Sequence, residues 1–245
     1  MATVTVEEIT RVTGLLQRAY PYILARKRQE GVLDEPPLDT LIRAILSQHT
    51  TDRNRDLAYH ALRERYHTWD AVADAPLEEL HDVIHASNHA YTKAGRMQQL
   101  LQRLRAEQGA TTLDFLRDWP TDAVRAYLRQ FPGVGEKSTA IVCLFALHRP
   151  VMPVDTHVYR VTQRLGWIGA TVSAERAHAL LAALLPPALV FPLHLGLWEH
   201  GRVTCRPLPH CAHCAIYADC RYSAKTAPPP AVDAAIAFTA TAQAA

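Results

Sequence analysis

Apolar side chains recur three and four positions apart along most of this 245-residue chain, the spacing that places them on one face of an α-helix. No stretch alternates apolar and polar residues as a β-strand does, and glycine and proline clusters mark the breaks between helical segments. We therefore predict an all-α fold. Clear examples of the spacing are Leu41, Ile42, Ile45 and Leu46; Val158, Val161, Thr162 and Leu165; and Leu180, Leu181, Leu184 and Leu185.

Composition and charge exclude a membrane protein and leave a polyanionic partner open. Of all residues 49% are hydrophobic, yet no apolar run reaches the length of roughly 18 residues that a membrane span needs. The N-terminal segment carries acids where a signal peptide carries positive charge, so we expect an intracellular, cytoplasmic protein. The net charge of +2 is small, but a surface that binds nucleic acid needs only local positive charge.

A glycine turn forms the first candidate site. The segment Phe131–Ser138 reads FPGVGEKS. We predict one helix that Thr121 caps and that runs through Gln130, and a second from Glu136 to about His148. Unpaired backbone N–H groups at the start of the second helix would form an anion site suited to a phosphate. An ordinary tight connection between two helices is the alternative.

The lysine directly behind this turn suggests a nucleophile. The chain has 26 lysines and arginines together, and the lysines are only Lys27, Lys93, Lys137 and Lys225. Lysine, unlike arginine, can lose its proton and attack carbon as a neutral amine. Because the helix behind Lys137 is apolar all round, we expect partial desolvation that favours the neutral amine. The alternative is a lysine that extends to solvent from a helix end.

The segment Val154-Asp155-Thr156-His157 forms a second candidate site. Pro153 breaks the chain just before it, and Asp155 is well placed to cap the helix that carries Val158. Capping alone explains an aspartate at this position. A carboxylate at a helix start also remains ionised, as a catalytic anion must, so the two roles are compatible.

Four cysteines near the C-terminal end predict a metal or cluster site. One CxxC motif, with a single cysteine on either side separated from it by five residues, is closer to iron–sulfur ligation than to the paired CxxC motifs of structural zinc. Zinc remains the alternative. Arg202 and Arg206 border the loop and are candidates for phosphate contacts. The proposed ligands are Cys205, Cys211, Cys214 and Cys220.

The order of these motifs resembles the endonuclease III family, helix-hairpin-helix DNA glycosylases with an iron–sulfur cluster. The resemblance rests on PGVGxK, on VDTH with its aspartate 18 positions after the lysine, and on the four-cysteine loop, and it covers roughly residues 5–222. It implies two helical domains that flank a DNA-binding cleft. These would be a six-helix barrel with the hairpin at 38–149, a [4Fe-4S] cluster domain made of 1–30 and 150–222, and a flexible tail at 223–245.

The resemblance also implies base-excision repair. The chain would be a monomeric DNA glycosylase and abasic-site lyase for oxidised pyrimidines in double-stranded DNA, associated with the nucleoid in a bacterium. Lys137 would attack C1′ of the damaged nucleoside and form a Schiff base, and Asp155 would activate the amine or stabilise positive charge on the sugar. The DNA contacts that the resemblance implies at these motifs involve Gly133, Val134, Gly135 and His157.

Two loops depart from the family pattern. Residues 47–52 read SQHTTD where the family normally has SAQATD, so either Gln48 or His49 would fill the gap that a flipped base leaves. Asn88 and His89 stand where the family has a glycine and an apolar wedge. Glu136 stands where a basic residue is common, and we expect this acid to repel a phosphate.

Two alternatives to an oxidised-pyrimidine glycosylase remain open. One is a DNA-binding iron–sulfur protein of the same fold with weak turnover, because its probing loops have diverged. The other is a glycosylase for mismatched or methylated bases, since residues 46–52 and 153–167 also look like the plant 5-methylcytosine glycosylases. Retention of Lys137 and Asp155 argues against complete loss of the chemistry.

Overall fold

The computed structural model describes residues 4–226, and the regular structure within that range is helical, so the predicted all-α fold is confirmed. No helix in this range is long and apolar enough to cross a membrane. Most of the predicted tail, residues 227–245, lies outside the described range. The α-helices are α1 (Val6–Ala19), α2 (Ile23–Gln29), α3 (Pro37–Leu46), α4 (Asp52–Arg65), α5 (Trp69–Asp74), α6 (Leu77–Val83), α7 (Ala90–Gln108), α8 (Thr121–Leu128), α9 (Glu136–Ile141), α10 (Thr156–Arg164), α11 (Ala174–Leu184) and α12 (Pro187–Val203).

The chain folds as two compact units. One is Gly31–Pro153, which contains α3 to α9, and the other combines residues 4–30 with 154–226 and contains α1, α2 and α10 to α12. The first unit extends a few residues beyond the predicted range 38–149 at both ends.

Helix α7 organises the unit Gly31–Pro153. Helices α5 and α6 pack against α7, whereas α3 packs against α4 and α9. The buried stripe of α7 includes Ala94, Met97, Leu101 and Leu104, three and four positions apart, as an amphipathic helix requires. Burying each large apolar side chain of this stripe contributes about 1.5–3 kcal/mol relative to leaving it exposed. The helix ends at Gly109, whose φ of 72° suits a left-handed C-cap.

The helices on either side of the glycine turn differ from the prediction in two ways. Thr121 does not cap α8 but begins it, because Pro120 occupies the N-cap position, where a proline ring holds φ near its observed −60°. The second helix ends earlier than predicted. Helix α9 continues as a π-helical turn at Val142–Ala146, and His148 beyond it has a left-handed φ of 53°.

Helix α12 organises the other unit and packs against α1 and α10. Two of its glycines permit this close approach. A Cβ on Gly196 would lie 2.7 Å from the Leu16 side chain, and a Cβ on Gly201 would lie 2.7 Å from the Cβ of His157. Larger residues at either position would separate the helices, so these glycines set the distance of α12 from α1 and from the start of α10.

Candidate active site and cysteine loop

A glycine hairpin connects α8 to α9. The Val134 N–H donates to the Phe131 carbonyl at 3.0 Å, and Gly133 has a φ of 80°. The left-handed backbone conformation requires glycine, and a Cβ would also displace the end of the Arg96 side chain, which lies 2.7 Å from its position. Gly135 is the N-cap of α9 and has no side chain that could accept a hydrogen bond from the helix. The N–H groups of the first turn of α9 therefore have no capping acceptor.

Lys137 lies in this first turn, and its side chain is exposed. No residue within 4–226 accepts a hydrogen bond from its amine or forms an ion pair with it. The expectation that the protein partly desolvates Lys137 was wrong, because α9 turns Ser138, Thr139 and Ala140 inward and leaves Lys137 outside. The amine can therefore meet an electrophile without first breaking a contact within the described chain.

The carboxylate of Glu136, next to Lys137, is paired with two arginines. Its carboxylate accepts hydrogen bonds from Arg125 at 2.5 and 3.1 Å, and Arg129 lies 3.4 Å away. The Glu136 side chain is only 13% exposed, and its hydrogen bond raises the pKa of Arg125. Two guanidinium groups thus compensate the acid that we expected to repel a phosphate. Any such repulsion is weaker than the sequence position alone indicates.

The four predicted probing residues lie in two short loops that contact each other and the hairpin. Gln48 Nε2 donates to the Gly133 carbonyl at 2.8 Å, and Asn88 Nδ2 donates to the His49 carbonyl at 2.7 Å. The rings of His49 and His89 meet edge to face with their centroids 5.8 Å apart. Both histidines have a left-handed φ, 53° and 58°, which is uncommon outside glycine. Gln48 is thus attached to the hairpin, whereas the two histidine rings are exposed.

Lys93, which belongs to no sequence motif, forms hydrogen bonds from the protein interior to both of these loops. Its side chain is only 2% exposed, and burial lowers its pKa to about 8. The amine donates to the Leu46 carbonyl at 2.9 Å, the Gln48 carbonyl at 2.5 Å and the Ser87 hydroxyl at 2.6 Å. The one available signal was its position four residues before Met97, on the apolar stripe of α7. A lysine at a buried position must find acceptors there.

Asp155, in the other unit, caps α10 as predicted. Its Oδ1 accepts hydrogen bonds from the N–H groups of His157 at 2.9 Å and Val158 at 2.8 Å. Within the described chain no group donates to Oδ2, which leaves that oxygen available to a ligand. The His157 ring is not free, because Arg160 Nη2 lies 3.2 Å from its Nδ1.

The two arginines that border the cysteine loop differ in accessibility. Arg202 pairs with the buried carboxylate of Glu199 at 2.8 and 3.0 Å and lies over the Trp198 ring, 5.3 Å from its centroid. Arg206 is exposed, and its Nε donates to the Arg202 carbonyl at 3.1 Å. A phosphate would compete with Glu199 for Arg202, so Arg206 is the better placed of the two.

All four clustered cysteines line one pocket of the loop, together with Arg164 and Tyr217. Within residues 4–226 no three cysteine, histidine or carboxylate side chains converge closely enough to hold a single metal ion. In a zinc site every sulfur lies about 2.3 Å from one atom, whereas in a [4Fe-4S] cluster each thiolate binds a different iron. Four cysteines around one pocket can supply the one thiolate for each iron that a cluster needs.

Two of these sulfurs contact polar side chains. Arg164 Nη1 donates to Cys205 Sγ at 3.2 Å and also holds the loop through the Arg206 and Pro207 carbonyls. His200 Nε2 lies 3.6 Å from Cys214 Sγ. Burial raises the pKa of the Cys214 thiol to about 12, so a bound cation is needed to hold it as a thiolate at neutral pH.

The predicted site residues are divided between the two units. Gly31–Pro153 holds the hairpin, Lys137 and both probing loops, and the contacts given above join the hairpin to the loops. The other unit holds Asp155, His157, the two arginines and the cysteines.

Comparisons of sequence and structure with known proteins all point to one family. Residues 42–187 match the HhH-GPD superfamily of base excision DNA repair proteins. Endonuclease III of Thermotoga maritima is 34% identical over 187 residues, which are 76% of this chain and 83% of that protein. A putative DNA glycosylase of Arabidopsis thaliana is 33% identical over 170 residues, 69% of this chain, but these span only 58% of that relative. The structure of a trapped endonuclease III–DNA covalent intermediate superposes with a TM-score of 0.75 at 27% identity, covering 89% of this chain and 97% of that one.

Proposed function

We propose that this chain, which belongs to the HhH-GPD superfamily of base excision DNA repair proteins and to the endonuclease III family within it, is a bifunctional DNA glycosylase and abasic-site lyase. The observation that carries the proposal is Lys137, an exposed amine without a partner in the described chain, directly behind a glycine hairpin. An arginine there would serve a phosphate equally well, but only lysine can become a nucleophile.

The proposed reaction uses the neutral amine of Lys137. The amine attacks C1′ of the damaged nucleoside, the bond from C1′ to the base breaks, and the base leaves with the electron pair and takes up a proton. Opening of the sugar ring gives a Schiff base. Loss of a C2′ proton then breaks the bond from C3′ to its oxygen and cuts the strand. We assign to Asp155 the negative charge that stabilises the cationic sugar.

C1′ is out of reach while the base is stacked in the duplex, so the target nucleotide must rotate out. Something must occupy the space it leaves. Because Gln48 is attached to the Gly133 carbonyl, we assign this role to the exposed rings of His49 and His89. Oxidised pyrimidines are the proposed lesions, and a panel of duplexes with oxidised, methylated and mismatched bases tests this assignment. Fastest release of a methylated or mismatched base would overturn it.

We also propose that the four cysteines hold a [4Fe-4S] cluster. The pocket that all four cysteines line supports this proposal. When bound, the cluster supplies a rigid cross-link for the loop that carries Arg206. Purified protein should contain iron and sulfide, and the cluster should absorb light at about 400 nm. Zinc without iron would overturn the cofactor assignment.

Borohydride trapping tests the enzymatic proposal directly. A duplex with one abasic site is incubated with wild type, with Lys137→Ala and with the control Lys27→Ala, which removes an amine that pairs with Glu30. We expect a covalent adduct with wild type and Lys27→Ala but none with Lys137→Ala. Wild type that binds the duplex yet forms no adduct would overturn the lyase proposal and favour a DNA-binding protein of the same fold.

A further inference from the structure

A buried histidine connects the N-terminal segment to one cysteine of the loop. His200 of α12 is 1% exposed. Its Nδ1 lies 2.7 Å from the Tyr20 hydroxyl, and its Nε2 lies 3.6 Å from Cys214 Sγ. The Tyr20 hydroxyl also lies 2.9 Å from the Thr204 hydroxyl. Both ring nitrogens therefore face a polar partner. In the sequence, Tyr20 lies 180 positions before His200 and Cys214 lies 14 positions after it.

The chemistry of these partners selects one tautomer. The Tyr20 hydroxyl can donate to Nδ1 at 2.7 Å, so a ring with its single N–H on the other nitrogen satisfies both contacts. A cysteine that binds a metal is a thiolate, which can only accept. The proton must then lie on Nε2, and Nδ1 accepts from Tyr20. The Tyr20 oxygen in turn accepts from Thr204, so each hydroxyl has a consistent direction.

We propose that His200 is a positioning residue for the cluster, and that Tyr20 holds it in the tautomer whose Nε2–H donates to the Cys214 thiolate. The proposal rests on the cofactor assignment made above, but not on the reaction at Lys137. No sequence motif indicates this role, because the spacing between Tyr20, His200 and Cys214 matches no known pattern of metal ligands.

A hydrogen bond to a ligating sulfur withdraws negative charge and makes the cluster easier to reduce. Loss of the donor should therefore move the reduction potential to more negative values. It should also free the Cys214 side chain, so that a chelator removes iron faster. Both quantities can be measured without DNA and without glycosylase turnover.

The test is a redox titration of cluster-loaded, full-length protein without DNA, together with the rate of iron loss to a chelator. His200→Leu removes the donor, and His200→Gln keeps an N–H at nearly the position of Nε2. We expect a more negative potential and severalfold faster iron loss for His200→Leu, with His200→Gln close to wild type. His213→Leu, next to Cys214 in sequence but exposed, is the control and should change neither quantity.

Tyr20→Phe keeps the imidazole and its packing but removes the hydroxyl that selects the tautomer. We expect a shift of the same sign and smaller size, and this variant decides the matter if His200→Leu does not fold with a cluster. An unchanged potential in Tyr20→Phe, or equal shifts for His200→Leu and His200→Gln, would overturn the proposal. Wild type loaded with zinc would overturn it together with the cofactor assignment, while borohydride trapping would still judge the lyase separately.

Discussion

Lys137 of α9 and Lys93 of α7 belong to the same compact unit, yet their environments are opposite. Lys137 is exposed and has no partner within residues 4–226. Lys93 is 2% exposed and donates to three oxygens, those of Leu46, Gln48 and Ser87. The hydrogen bonds of the Lys93 amine hold neighbouring loops in place, so we call Lys93 an anchor. The Lys137 amine has no such hydrogen bonds, so it is available to react with a substrate. We propose that the same side chain thus serves structure at one position and chemistry at the other.

The same substitution at both lysines separates these roles. Lys137→Met should reduce lyase activity on an abasic-site duplex by more than about a thousandfold, because it removes the nucleophile. Its free energy of unfolding should change by less than about 0.5 kcal/mol, as at an exposed site. Single-turnover cleavage and urea unfolding measure the two effects. Substantial cleavage by Lys137→Met would end the assignment of different roles to the two lysines.

Lys93→Met should show the reverse pattern. Methionine fills much of the same space but leaves the Gln48 carbonyl and the Ser87 oxygen without the donor, at a cost of about 1–3 kcal/mol per group left unsatisfied. The Leu46 carbonyl keeps its hydrogen bond from the Ser87 hydroxyl. We expect the free energy of unfolding to fall by about 3 kcal/mol, while borohydride still traps the folded protein at a saturating concentration of DNA. Complete loss of trapping in folded Lys93→Met would place Lys93 in the chemistry and break the comparison.

The pH dependence of stability sharpens the contrast. Burial lowers the pKa of Lys93 to about 8 from its ordinary 10.5. Between these values the unfolded chain holds the proton and the folded chain does not, so the contribution of Lys93 to stability rises with pH. The gain is at most about 3 kcal/mol. Urea unfolding at several pH values from 7.5 to 10 should show this rise in wild type relative to Lys93→Met. Parallel curves would contradict it.

Glu136→Gln should have the smallest effect. It releases Arg125 and Arg129 from the carboxylate beside Lys137, so DNA should bind severalfold more tightly and with a steeper dependence on salt. Titration of a labelled duplex at two salt concentrations measures both quantities. Asp74→Asn removes an acid that pairs with Arg105 elsewhere on the unit and is the control. Equal binding by wild type and Glu136→Gln would mean that the two arginines do not reach the DNA.

Features that depend on near neighbours could be predicted from the sequence. Asp155 caps α10 because a helix start needs an acceptor two and three residues before the N–H groups it satisfies. The hairpin could be predicted because Pro132, Gly133 and Gly135 lie within four consecutive positions. The Thr121 cap was wrong even at this range, because Pro120 took the N-cap position. The predicted desolvation of Lys137 failed for a different reason, since which face of α9 is buried depends on the helices packed against it.

The sequence by itself determined the helical class, the hairpin with its lysine, the aspartate cap and the four-cysteine loop. Only the tertiary structure decided that Lys93 is an anchor, that Gln48 is attached to the hairpin and that His200 faces Cys214. The physical reason is the range of the interactions. Turns and caps close within a few residues, whereas Lys93 donates to a carbonyl 47 positions away and His200 contacts a hydroxyl 180 positions away. Burial and the supply of acceptors come from such distant segments, and they decide what an amine or an imidazole can do.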